Sequence, residues 1–162
     1  MIDARHSSTL QIADFGMSLI LTGNETSSRE YPVCTIWYRA PEVLLGLCYT
    51  QAMDVWSAGC ILYEMACGRP MFPARDGTEN REEMLQPALA ALIFAHLGLP
   101  HASAWPEAMR GTRWNMYCRC ASDTTPSDDY NRYLRAVVAG TVCYPPDRMT
   151  AKQALDRFDM VF

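Results

Sequence analysis

The chain has 162 residues, which is the size of one ordinary domain. Apolar residues make up 49% of the sequence and charged residues 20%, so enough surface can be buried to offset the loss of chain entropy, and a globally disordered protein is excluded. The formal net charge of −4 argues against nucleic acid and anionic lipid as partners, because both attract clustered Lys and Arg.

The sequence predicts neither a secretory signal nor a transmembrane segment. Residues 87–95 form the longest stretch without a charged or strongly polar side chain, far below the roughly 20 residues that cross a bilayer. The first ten residues contain Asp3, Arg5 and His6 and lack the apolar core of a secretory signal. Seven cysteines, none in a C-x-x-C pair, favour buried thiols. We therefore expect an intracellular protein, cytoplasmic or nuclear, without a membrane partner.

The first predicted elements are short. Residues 9–13 alternate apolar and polar side chains and predict a strand that runs into Asp14, followed by a surface loop over 17–31. Pro41 and Gly46 frame a helix of one to two turns. A longer helix over 51–67, capped by Thr50 and ended by Gly68, has little polar face and should be buried on nearly all sides.

The second half also predicts helices. Residues 73–83 have the composition of a solvated loop, and Pro87 should open an apolar helix that ends at Gly98. Residues 111–126 show no usable period, whereas apolar positions between 130 and 141 mark one helical stripe. The T-x-x-Q pattern at Thr150 is a capping box that opens a final helix. The predicted secondary structure is thus mainly helical, and the sequence has no internal repeats.

Three motifs follow one another in a fixed order. D-F-G occupies 14–16, W-Y-R-A-P-E occupies 37–42, and D-V-W-S-A-G-C occupies 54–60. Together they resemble a Ser/Thr protein kinase of the proline-directed group, which contains the cyclin-dependent and MAP kinases, over roughly residues 9–158. The resemblance implies a mainly α fold: residues 1–162 would be a partial kinase domain, the C-terminal lobe from just before D-F-G to the last helix, with a short strand remnant and no N-terminal lobe.

The resemblance also implies roles for individual residues. Asp14 would bind the magnesium ion that bridges the phosphates of ATP, although a turn aspartate bonded to its own backbone is the alternative. The activation segment, 14–42, and its substrate-docking part would use Phe15, Gly16, Glu30, Thr35, Trp37 and Arg39. Architectural roles fall on Glu42, Asp54, Trp56 and Arg148, with a buried ion pair between Glu42 and Arg148.

Two of these roles leave alternatives open. In the proline-directed group the arginine at Arg39 shapes a pocket for the proline after the phosphorylated Ser or Thr, so Ser/Thr-Pro proteins are the implied substrates. The alternative is an exposed arginine lying across Trp37 or Tyr38. Glu30 stands where the family carries a phosphothreonine, and it either mimics that phosphate weakly or reflects sequence drift.

The groups that perform phosphoryl transfer in kinases have no counterpart in this sequence. No two glycines stand closer than seven positions, so no G-x-G-x-x-G exists, and the single lysine, Lys152, follows every kinase motif. No histidine precedes Arg-Asp, so no catalytic residue is assigned. ATP and Mg are the family's cofactors, but we expect a catalytically incomplete chain with an exposed apolar patch around D-F-G and Trp37.

The sequence leaves three interpretations of the missing phosphoryl-transfer motifs open. The chain is a shortened gene model of an active kinase, a pseudokinase-like module that binds protein substrates or kinase-type partners, or the product of a pseudogene without function. In-frame upstream coding sequence for H-R-D-x-K-x-x-N would favour the first reading. Peptide binding without nucleotide would favour the second.

Overall fold

Helices dominate the computed structural model, which describes residues 11–20, 34–74, 82–121 and 138–159. We number the helices in chain order: α1 is Pro41–Leu44, α2 is Ala52–Cys67, α3 is Glu82–Leu97, α4 is Trp114–Ala121 and α5 is Ala151–Asp159. Shorter 3-10 turns cover Phe15–Met17, Ile36–Tyr38, Pro106–Arg110 and Pro145–Asp147. The predicted mainly α fold class is confirmed. None of the helices described is long and apolar enough to cross a bilayer.

The core lies between α1, α2, α3 and α4. Trp56 of α2 is fully buried and stacks on Phe72, with 5.8 Å between the ring centroids. Phe94 of α3 meets Trp114 of α4 edge to face at the same distance. The first pair joins α2 to the loop that follows it, and the second joins α3 to α4. Burial of such large apolar areas is the main stabilising contribution in a core.

The ends of α1 and α2 follow the predicted signals. Pro41 is the first residue of α1, and Gly46 beyond its end has a φ of 71°. Gly68 ends α2 with a φ of 69°, as predicted. The predicted cap Thr50 accepts a hydrogen bond from the backbone N–H of Ala52, but the N-cap position is Gln51, one residue later than predicted. Glycine suits both ends because it adopts the left-handed conformation without steric penalty.

The predicted burial of α2 on nearly all sides is wrong. Trp56, Cys60 and Tyr63 are buried, but Ile61 is 48% exposed and Met65 is 71% exposed. The described elements around α2 thus leave these two side chains uncovered. The apolar composition of α2 predicted a helix buried on all sides. Burial of a side chain also depends on which other elements pack against the helix.

Two helix boundaries in the middle of the chain also differ from the prediction. Helix α3 begins at Glu82, so Pro87 lies inside it rather than at its start. A proline there removes one i to i−4 hydrogen bond, which is why sequence rules place the boundary at Pro87. Helix α4 was not predicted, because its apolar face is formed by scattered residues such as Trp114 and Tyr117.

The predicted strand is absent from its described part, Gln11 to Ala13, where the backbone is irregular. A strand needs a neighbour to pair its backbone groups, and none of the described residues lies in a strand. The apolar side chains of this region are exposed, as expected: Ile12 is 87% and Phe15 66% exposed, and Trp37 is 36% exposed.

The capping box at the start of α5 is present. The Thr150 hydroxyl accepts from the Gln153 backbone N–H at 3.2 Å, and the Gln153 side-chain oxygen accepts from the Thr150 N–H at 2.8 Å. Three other predictions lie largely outside the described residues: most of the loop 17–31, the part of the loop 73–83 over 75–81, and the helical stripe 130–141 up to residue 137. The last two residues of the predicted loop, 82–83, belong to α3.

Candidate functional site

The docking segment, residues 34–39, lies across helix α2. A 3-10 turn shapes it, since the Tyr38 N–H donates to the Thr35 carbonyl at 3.0 Å. The Ser57 hydroxyl of α2 donates to the Tyr38 carbonyl at 2.9 Å. The Trp37 indole N–H donates to the Ala74 carbonyl at 3.2 Å. The backbone of the segment is therefore bonded to α2, and its Trp37 indole is bonded to the loop after α2.

Arg39 is buried at the end of the docking segment, with 3% of its surface exposed. Its Nη2 donates to the Cys34 carbonyl at 2.7 Å, so the guanidinium closes the six residues of the segment into a loop. A charge-assisted bond of this kind is stronger than a neutral one. The alternative of an exposed arginine lying over Trp37 or Tyr38 is excluded by this burial.

A groove of about 620 Å³ lies between the docking segment and α2. The residues that line it come from these two elements: Cys34, Thr35, Tyr38, Ser57, Ile61, Glu64 and Met65. The Tyr38 hydroxyl donates to Glu64 Oε2 at 2.6 Å, and this bond to a carboxylate is the main reason that the pKa of Tyr38 rises to about 12. The groove thus combines an apolar floor with one anchored carboxylate.

The thiols beside the groove are poor nucleophiles. Burial raises the pKa of Cys34, although a contact with the Ser57 hydroxyl and the charge of Arg39 oppose the rise. Burial also raises the pKa of Cys60 to about 12. Thiolate is the reactive form, so both groups are protonated near neutral pH and suit a structural role. These two thiols therefore do not supply a nucleophile at the groove.

Glu42 and Arg148 form the predicted buried ion pair. Arg148 Nη1 and Nη2 lie 2.5 and 3.0 Å from the two carboxylate oxygens of Glu42. Arg148 also donates to the carbonyls of Cys143 and Ala52, and its guanidinium lies 5.1 Å from the ring centroid of Trp56. The pair fixes α1 and the start of α2 to the loop before α5, and the extra bonds compensate for the desolvation of two charges.

Asp54 occupies the first turn of α2 and is exposed. Within the described ranges no donor is hydrogen-bonded to its carboxylate, and desolvation by the surrounding helix raises its pKa.

Asp14 lies apart from the groove, in the exposed segment 11–20. Its φ is 65°, and its carboxylate accepts from the Gly16 N–H at 3.4 Å, which is the geometry of a turn aspartate. Within the described ranges no three His, Cys, Asp or Glu side chains cluster around a possible metal position. Mg²⁺ in phosphate-binding sites takes one or two protein carboxylates together with phosphate oxygens and water, and the described residues supply one such carboxylate here, that of Asp14.

The structure thus brings together part of the predicted set. Thr35, Trp37 and Arg39 belong to the docking segment, and Glu42, Trp56 and Arg148 form the anchor beneath it. Asp14, Phe15 and Gly16 lie in the separate exposed segment, and Glu30 is outside the described residues.

Sequence reasoning missed two polar residues of the groove, Ser57 and Glu64. The available signal was helical spacing, because positions 57, 61 and 64 fall on one face of α2. A second unpredicted contact involves Tyr144, in the loop before α5. Its hydroxyl donates to the Gly98 carbonyl, and its ring packs against Trp105 with 5.3 Å between centroids.

Comparison with known proteins agrees with these motifs. The model of the protein kinase domain family matches residues 1–158. A relative named probable cyclin-dependent kinase 8, from Dictyostelium discoideum, is 30% identical over an alignment of 168 residues. That alignment covers 96% of this chain and 43% of the relative. The chain therefore spans less than half the length of this relative and is similar to a cyclin-dependent-kinase-like Ser/Thr kinase.

Proposed function

Since this chain belongs to the protein kinase domain family, we propose that it carries the peptide-docking part of a Ser/Thr kinase domain and does not itself transfer phosphoryl groups. In this proposal residues 1–162 correspond to the C-terminal lobe from D-F-G to the last helix, with 14–42 as the activation segment. The substrates are proteins, as throughout the family, and the motif W-Y-R-A-P-E selects Ser/Thr-Pro sequences.

The observation that supports docking most strongly is the position of Arg39. A buried arginine that bonds the Cys34 carbonyl gives the docking segment a fixed shape before any peptide arrives. A preformed site loses less conformational entropy on binding than a flexible one. The Glu42–Arg148 anchor supports the same segment from below. Trp37 and Thr35 are the exposed side chains that a peptide would contact.

The proposed incompleteness rests on the sequence. Phosphoryl transfer in kinases uses a glycine-rich loop, a lysine on the phosphates, an aspartate that orients the acceptor hydroxyl and two magnesium ligands. Of these, the D-F-G aspartate Asp14 is the one that this sequence contains by motif match. Asp14 would hold magnesium together with oxygen ligands from other groups, among them the phosphates of the nucleotide. We infer that the chain is intracellular, cytoplasmic or nuclear, as is typical of kinases that phosphorylate proteins.

A second candidate is that these residues form part of an active cyclin-dependent-kinase-like enzyme. The D-F-G motif and the alignment with 43% of a probable cyclin-dependent kinase favour it. The two candidates differ in one observable. Fusion of an N-terminal kinase segment that contains G-x-G-x-x-G and H-R-D-x-K-x-x-N would generate activity in the second case. A fusion that binds Ser-Pro peptide without transferring phosphoryl groups would favour the first.

Docking is tested with two fluorescent peptides that differ only in Ser-Pro against Ser-Ala, and binding is followed by anisotropy without nucleotide. We expect the Ser-Pro peptide to bind about fivefold tighter or more, since a pocket that fits one side chain shape gains about 1–3 kcal/mol over a poorer fit. The Arg39→Lys variant should lose this preference, because lysine cannot replace the planar guanidinium. The matched control is Arg110→Lys, an exposed arginine remote in sequence. Equal binding of both peptides to the unmodified chain would refute docking of this kind.

A further inference from the structure

We draw no further inference here: the strongest candidate, the exposed apolar face that Ile61 and Met65 form on helix α2, borders the groove already described, and nothing in the described part of the chain shows what covers it.

Discussion

Arg148 contacts more of the molecule than any other charged residue described in the site. It is held by both carboxylate oxygens of Glu42, by the carbonyls of Cys143 and Ala52, and by the face of Trp56. A buried charge is stable only while its partners remain, because the interior cannot replace the lost hydration. Removal of one partner should therefore lower the free energy of unfolding more than replacement of both partners by apolar residues.

Removal of one partner tests this dependence. Arg148→Ala should lower the free energy of unfolding by about 3–5 kcal/mol, since it leaves Glu42 buried and unpaired. Urea unfolding followed by tryptophan fluorescence measures the change. The control variant Arg110→Ala removes an exposed arginine and should change the same quantity by about 0.5 kcal/mol or less. The double variant Glu42→Leu with Arg148→Met should recover much of the loss, and a double variant as unstable as Arg148→Ala would contradict the argument.

The Tyr38 phenol provides a pH test at the groove. Its bond to Glu64 raises its pKa from 10.0 to about 12, so the folded state favours the protonated phenol. The stabilisation is complete below pH 10 and is lost as the pH rises through about 12. Tyr38→Phe should therefore remove one phenol that ionises near pH 12 in an absorbance titration, and it should flatten the decline in stability above pH 10. Loss of a phenol that titrates near pH 10 would show that the Tyr38–Glu64 bond is absent in solution.

At the scale of the elements, Gly59 explains how α2 approaches the loop before α5. A Cβ at position 59 would lie 2.4 Å from Thr141 Oγ1 and 2.7 Å from Val142 Cγ2. Neither distance is compatible with a real side chain, so this contact requires glycine. The requirement acts against helix propensity, which disfavours glycine in a helix interior by about 1 kcal/mol relative to alanine.

The Gly59→Ala variant separates helix propensity from the steric contact, because the two effects change the free energy of unfolding in opposite directions. Helix propensity alone predicts a gain of about 1 kcal/mol in the free energy of unfolding, whereas the contact with Thr141 and Val142 predicts a net loss of about 1–3 kcal/mol. We expect the loss, measured by urea unfolding. Ala58→Leu, one position earlier on the exposed side of α2, should change stability by about 0.5 kcal/mol or less. A more stable Gly59→Ala variant would mean that α2 and this loop are not in contact.

Sequence rules succeeded where local chemistry alone determines the structure. Pro41, Gly68 and Thr150 mark helix ends through backbone conformation and hydrogen bonds within one turn, and each end was predicted correctly. The rules failed where a distant neighbour decides. The strand over 9–13 needed a partner strand, and the burial of Ile61 and Met65 needed an element packed against α2. The pair Glu42–Arg148 was predicted only through the family resemblance, because 106 positions separate its members.

At the scale of the whole molecule, the described surface carries unusual apolar exposure. Ile12, Phe15, Met17 and Ile20 are each more than 60% exposed within one segment of ten residues, and Ile61 and Met65 are exposed on α2. These side chains contribute little to folding, because burial is what makes an apolar group stabilising. The core formed by α1 to α4 must therefore supply most of the stability of this chain.

We expect the isolated chain to be marginally stable or to associate with itself or a partner. Differential scanning calorimetry at several protein concentrations should give a melting temperature within the range of about 45–65 °C for mesophilic domains, or one that rises with concentration. Replacement of Ile12 and Phe15 by serine should lower any concentration dependence without lowering the melting temperature of the monomer. Cooperative unfolding of a monomer at about 80 °C or above would contradict the expected marginal stability.

The proposal that docking is retained and phosphoryl transfer is absent is tested most directly by the transfer of radiolabel from [γ-³²P]ATP with magnesium to a Ser-Pro peptide. The purified chain of 162 residues should label the peptide no faster than a sample without protein. Labelling above that background which Asp14→Asn abolishes would contradict the account, because it would show that these residues alone bind the nucleotide and orient the acceptor hydroxyl.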